Sequence, residues 1–168
     1  MFKKIFMLVA VIILLMGCNS GSSDSNTSQN GEKPSDELPT LDRTDSLAGI
    51  DENQNGIRDD IEKYIIENYP DEVHKKALFQ FAKTMQEELL VDVSDMIAVK
   101  KLSIKSSRAM HCIFLKFDVK KGDENPSIAW KKIRSMTTNT KVRLQTYLKY
   151  NKALDGTALS LPRGDTCE

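Results

Sequence analysis

Asp51, Asn53, Asn55, Asp59 and Glu62 fall at places 1, 3, 5, 9 and 12 of one twelve-residue stretch, Asp51 to Glu62. Side chains spaced this way turn oxygens toward a common point. A hard cation such as calcium takes six to eight oxygens at about 2.3–2.6 Å. Gly56, at place 6, permits the sharp turn such a loop needs. Ile57 would supply its backbone carbonyl, Asp59 would reach the ion directly or through water, and Glu62 would close the sphere with both oxygens. Asn55-Gly56 is also a good turn without any ion, and Asp59 and Asp60 suit the start of a helix. That metal-free reading leaves Asp51, Asn53 and Glu62 unexplained, so Ca²⁺ is the expected cofactor. Two of the side-chain ligands are neutral amides. Affinity is therefore expected to be weak, on the order of 10⁻⁴ to 10⁻³ M, which suits a structural clamp rather than a sensor.

The stretch fits D-x-[DN]-x-[DN]-G-x5-E and so resembles the EF-hand loop. It departs from that family at Ile57, whose apolar side chain stands at place 7, with Arg58 at place 8. Residues 41–50 also lack a convincing entering helix. Both departures resemble single-loop calcium modules of the thrombospondin type 3 kind. That resemblance implies a loop followed by one helix rather than a paired EF-hand.

Helical periodicity supplies the elements that must hold the loop. Ile57, Ile61, Tyr64, Ile65 and Tyr69 share one face of a helix that stops at Pro70. Asp71 can cap a second helix carrying Val73, Ala77, Leu78, Phe81, Met85 and Leu89. Ser94 or Asp95 can cap a third, with Met96, Val99, Leu102, Ala109, Cys112 and Ile113 as its apolar stripe and Phe117 near its end. Lys120 to Pro126 reads as a loop. A short helix follows with Ile128, Trp130 and Ile133. Asn139 or Thr140 starts the last, with Val142, Leu144, Tyr147, Leu148 and Leu154 apolar, ending near Asp155-Gly156. The expected fold is all-α, a compact domain of four to five helices over residues 50–168, enough for one modest core. The Met and aromatic stripes are read as core rather than as a cofactor pocket.

The amino-terminal end has a separate chemistry. Met1 to Lys4 is basic, Ile5 to Met16 is an unbroken apolar run, and Gly17 precedes Cys18. This is the pattern of a secretory signal, and the run is too short to span a bilayer, which takes roughly 20 apolar residues. Leu15-Met16-Gly17-Cys18 resembles the lipobox of bacterial lipoproteins. The resemblance implies cleavage after residue 17, lipidation of Cys18 and anchoring in the cell envelope, at the outer membrane if the cell is Gram-negative. Several acyl chains anchor stably where one is marginal. Residues 18–49 are expected to form a polar, disordered linker, with six acids and two bases over residues 19–49.

With Cys18 taken by lipid, an exported chain retains Cys112 and Cys167, and a disulfide between them is expected. A buried thiol and a tail thiol are the alternative. No Cys–His ligand spacing for a metal emerges.

Charge is sorted along the chain. Residues 100–152 hold 14 bases and three acids. Lys131, Lys132, Arg134, Lys141 and Arg143 are candidates to face an anionic envelope component or an acidic protein. The competing reading is that the acidic and basic helices simply balance one another. Nucleic acid is not expected as a partner after export. Arg163-Gly164-Asp165 is read as a turn before Cys167, not as an adhesion tripeptide. No G-x-S-x-G, H-E-x-x-H or phosphate-binding glycine loop is present, and no enzyme is expected. The expectation is a lipid-anchored envelope protein with a structural calcium loop, acting as a binding or scaffolding module. An immunity-type or inhibitor lipoprotein with a dedicated partner is the alternative, and an envelope hydrolase a distant third.

Overall fold

Capping residues set the helix boundaries. The computed structural model describes residues 40–158, 160 and 162–168. The signal segment, Cys18 and most of the expected linker lie outside the described residues. Helix α1 spans Asp59–Asn68 and ends before Pro70. Helix α2, Glu72–Leu90, begins where the Asp71 side chain accepts from the backbone N–H groups of Val73 and His74. Asp95 caps α3, Met96–Lys116, in the same way through Ile97 and Ala98. A single 3₁₀ turn, Val119–Lys121, interrupts the loop that follows. Asn125 caps α4, Pro126–Thr137, which carries proline at its start, where a missing N–H costs nothing. Thr140 caps α5, Lys141–Ala153. Among the described residues there are five α-helices and no strand, so the fold is all-α.

Helix α2 is the centre of the packing and touches α1, α3, α4 and α5. Its Leu78, Phe81 and Met85 meet Ile61 and Ile65 of α1, Ala109 and Ile113 of α3, and Ile133 and Met136 of α4 in one apolar cluster. A smaller cluster joins Val99 and Leu102 of α3 to Tyr150 of α5. The expected α1 face, Ile57 to Tyr69, is buried throughout. Val73 and Met96, expected on apolar stripes, are exposed.

Cys112 of α3 is bonded to Cys167, with Cα atoms 5.0 Å apart, which pins the carboxy-terminal tail to the helix. A loop of 55 residues closed in this way stabilises by roughly 4 kcal/mol on the chain-entropy estimate. Asp165 accepts from the Cys167 N–H, so Arg163-Gly164-Asp165 sits in the turn leading to that bond.

Two expectations need correction. The linker was expected to run to residue 49, but residues 40–49 are held on the helices as an extended arm. Leu41 packs on the main cluster, and Gln86 of α2 donates to the Leu47 carbonyl at 2.8 Å. The second concerns α5. Val142, Leu144 and Leu148 were expected inward and are exposed, whereas Arg143 and Tyr150 are the buried residues of that helix. The arm explains the burial of Arg143. Its backbone carbonyls need donors, and Arg143 supplies them to Asp42 O at 2.7 Å and Ser46 O at 3.0 Å.

Candidate metal centre

The loop begins where the arm turns toward α1. The Asp59 N–H donates to the Ile50 carbonyl at 2.9 Å, closing the stretch on itself. Gly56 adopts φ +86°, a left-handed conformation that glycine takes without steric cost. Asp51 reaches across the turn, accepting from the backbone N–H of Asn55 at 3.2 Å and of Gly56 at 2.9 Å. Asn53 and Asn55 each accept from the N–H two residues on, at 3.0 and 2.8 Å.

Glu62, on the first turns of α1, faces the two amides. The Asn53 amide donates to its Oε2 at 2.9 Å and the Asn55 amide to its Oε1 at 2.7 Å. Asp51, Asn53, Asn55 and Glu62 are thus brought together by contacts among themselves. Asp59 lies at the edge of this group, where its carboxylate accepts from the Glu52 N–H at 3.2 Å. Ile57 sends its side chain into the core. Among the described residues there is no cluster of three or more carboxylates, imidazoles or thiols placed to hold a metal ion. The polar side chains of the loop are a mix of carboxylates and amides.

Arg58 was read only as a departure from the loop pattern. It is fully buried. Its guanidinium pairs with Asp60 at 2.6 Å and donates to the Met136 carbonyl at 2.9 Å, tying the loop to the end of α4. Asp60 also accepts from the Asp42 N–H at 2.7 Å. Gly49, at φ +70°, passes against the Arg58 side chain with no room for a Cβ. Arg143 completes this network. It meets Asp42 Oδ2 at 3.3 Å and shares the Asn139 side-chain oxygen with Arg58. Burial and the neighbouring Arg58 charge lower the Arg143 pKa, while Asp42 and Asp60 oppose that shift. Burial alone would raise Asp42. Hydrogen bonds from Thr44 and Ile50, with the Arg143 charge, instead hold it down at about 2. No periodicity marks two buried arginines. An arginine at a helix start with an acid two residues on was the only available sign.

The basic residues expected to face an anion do not act as one set. Arg143 is removed from it outright, because it points into the arm. Lys132 is paired with Glu124 at 2.7 Å, and Glu124 also accepts from Tyr69. Burial works against the Lys132 ammonium, but Glu124 holds its pKa above the ordinary value. Lys141 is exposed. Lys131 and Arg134 both approach the Trp130 ring, at 5.8 and 4.5 Å from its centre. Elsewhere Lys105 pairs with Glu87 at 2.6 Å. No helix among the described residues is long and apolar enough to cross a membrane. Compared with protein-family models, curated proteins and solved structures, the chain matches none.

Proposed function

We propose that this chain is a lipid-anchored protein of the bacterial cell envelope. In this reading its 51–62 loop takes one calcium ion as a structural clamp, and its helical domain serves as a binding or scaffolding module. The observation that carries the clamp is the meeting of Glu62 with the amides of Asn53 and Asn55, at 2.9 and 2.7 Å. To ligate an ion beside Glu62, each amide would turn its oxygen toward the carboxylate, giving up the hydrogen bond that this oxygen now accepts from the Asn55 or Ile57 N–H. The ion would replace the two amide protons that Glu62 now accepts. Asp51 and Asp59, at the edge of the group, and the Ile57 carbonyl would supply the remaining donors. The ion would fix the junction of arm and α1, where the backbone already closes between Ile50 and Asp59.

The test is thermal melting of residues 19–168 in EGTA, 1 mM calcium or 1 mM magnesium. At a dissociation constant of about 10⁻⁴ M, 1 mM calcium stabilises by roughly 1.4 kcal/mol, a rise of several degrees for a domain this size. Calcium alone should raise the midpoint, and Asp51→Ala and Glu62→Ala should abolish the rise. Coincident curves in the three buffers would reduce the loop to a turn and a helix start. Anchoring rests on the lipobox resemblance at Cys18. A Cys18→Ala chain should leave the membrane fraction, and its retention there would remove that part of the reading.

A further inference from the structure

A cleft of about 190 Å³ opens between α2, α3, α4 and α5, away from the 51–62 loop. It is somewhat larger than a dry cavity of about 150 Å³ that accepts benzene. Phe81 and Met85 of α2, Met110 of α3 and Leu154 after α5 give it an apolar wall. Among its polar groups two are charged, Glu88 and Arg134, and they are of opposite sign. Glu88 is 5% exposed, accepts from the Ser106 hydroxyl at 2.5 Å, and makes no ion pair among the described residues. Tyr150 is 2% exposed, and its buried hydroxyl makes no hydrogen bond of good geometry among the described residues, with the Ser106 hydroxyl close enough only to lower its pKa. An unpaired hydroxyl in such a place costs stability unless something fills it. Arg134 sets its guanidinium carbon over the Trp130 ring, 4.5 Å from the ring centre, and makes no ion pair among the described residues. An arginine fork held over an aromatic ring can still donate to a carboxylate.

We propose that this cleft binds a small apolar α-amino acid as its zwitterion. The ammonium group meets Glu88 and the Tyr150 hydroxyl, the carboxylate meets the Arg134 guanidinium, and the side chain lies along Phe81, Met85 and Met110. A ligand carrying both charges answers a site that offers both, whereas a plain amine leaves Arg134 unanswered and a plain carboxylate leaves Glu88 buried alone. The volume limits the occupant to a single residue such as leucine or phenylalanine. This site is independent of the calcium reading.

Binding is linked to a proton. Burial pushes Glu88 up to about 7, against the Ser106 hydrogen bond and the Arg134 charge, which lower it. The groups facing it are Ser103 and Ser106 of α3, Arg134 of α4, and Tyr147 and Tyr150 of α5. Burial, reinforced by the Glu88 charge and opposed by the Ser106 hydroxyl, holds the Tyr150 phenol well above its ordinary value, so it stays neutral. An ammonium ligand needs the ionised carboxylate. Affinity should therefore fall about tenfold between pH 8 and pH 6.

The experiment is calorimetric titration of the full chain in detergent micelles with L-leucine and L-phenylalanine. Isopentylamine and 4-methylpentanoate serve as the singly charged analogues of leucine. The expected result is that one amino acid binds at least tenfold more tightly than either analogue and weakens about tenfold from pH 8 to pH 6. Glu88→Gln, which keeps the shape and the Ser106 contact, and Arg134→Met should each weaken it at least tenfold, and Tyr150→Phe several-fold. Absence of binding by both amino acids in the folded wild-type chain overturns the proposal. So does an amine analogue that binds as tightly as its amino acid, or an affinity indifferent to Glu88→Gln. The analogue series uses only the wild-type chain and stands even if a variant fails to fold.

Discussion

Arg143 and Glu88 are both buried charges, one at 0% and one at 5% exposure, and they are treated in opposite ways. Arg143 donates to two carbonyls of the arm, to Asn139 and to Asp42, so its charge and its N–H groups are answered on several sides. Glu88 has one hydroxyl for company and an unpaired phenol nearby. A buried ion that is paired and fully hydrogen-bonded holds structure together; one that is not either takes up a proton or waits for a partner. The arm region is thus finished within the chain, whereas the cleft is left open to something outside it.

Removing each charge should separate the two regions, and Arg143→Met should have the larger effect. It removes the charge partner of Asp42 and the donor to the Ser46 carbonyl, leaving Asn139 as donor to the Asp42 carbonyl. Unfolding in urea should show a loss of about 3–5 kcal/mol, the range for breaking a buried pair from one side. A loss under 1 kcal/mol would mean that the arm contributes little and that the contrast is false. Glu88→Gln should do the reverse, and only at high pH. The folded-state pKa of Glu88 lies near 7 and its ordinary value is 4.5. The folded chain therefore holds the proton more tightly than the unfolded chain. Stability from this group is complete below 4.5 and is lost as pH rises through 7. Without ligand, the wild type should lose on the order of 3 kcal/mol relative to Glu88→Gln between pH 4 and pH 8. Parallel stability curves for the two chains would show that Glu88 is answered after all.

Much of the fold was legible because it rests on local rules. Asp71, Asp95 and Thr140 cap the helices they were expected to cap, and Pro70 stops α1 as its missing N–H requires. The α1 face and the core positions of α2 follow the 3.6-residue period. Periodicity failed on α5, where Arg143 and Tyr150 face inward and Leu144 and Leu148 face out. It failed at Arg143 because the partner there is a polar arm that needs donors, while Tyr150 packs on Val99 and Leu102 of α3. The grouping of Asp51, Asn53, Asn55 and Glu62 was legible from spacing alone, since a loop of fixed length ending on a helix leaves those side chains little choice. Arg58 was not, because its partners Met136 and Asn139 lie about eighty residues away. The cleft was equally hidden. Phe81, Met85 and Trp130 look like ordinary core, and only their placement beside Glu88, Tyr150 and Arg134 makes them walls.

The arm also decides where tension enters the molecule. A pull arriving at residue 40 meets Leu41, packed on the main cluster, and then Asp42. The carbonyl and carboxylate of Asp42 are gripped by Arg143 of α5, and its N–H is held by Asp60 at the start of α1. Strain applied from the amino-terminal side is therefore shared between α5 and α1, as a forked stay spreads the load of one rope over two posts.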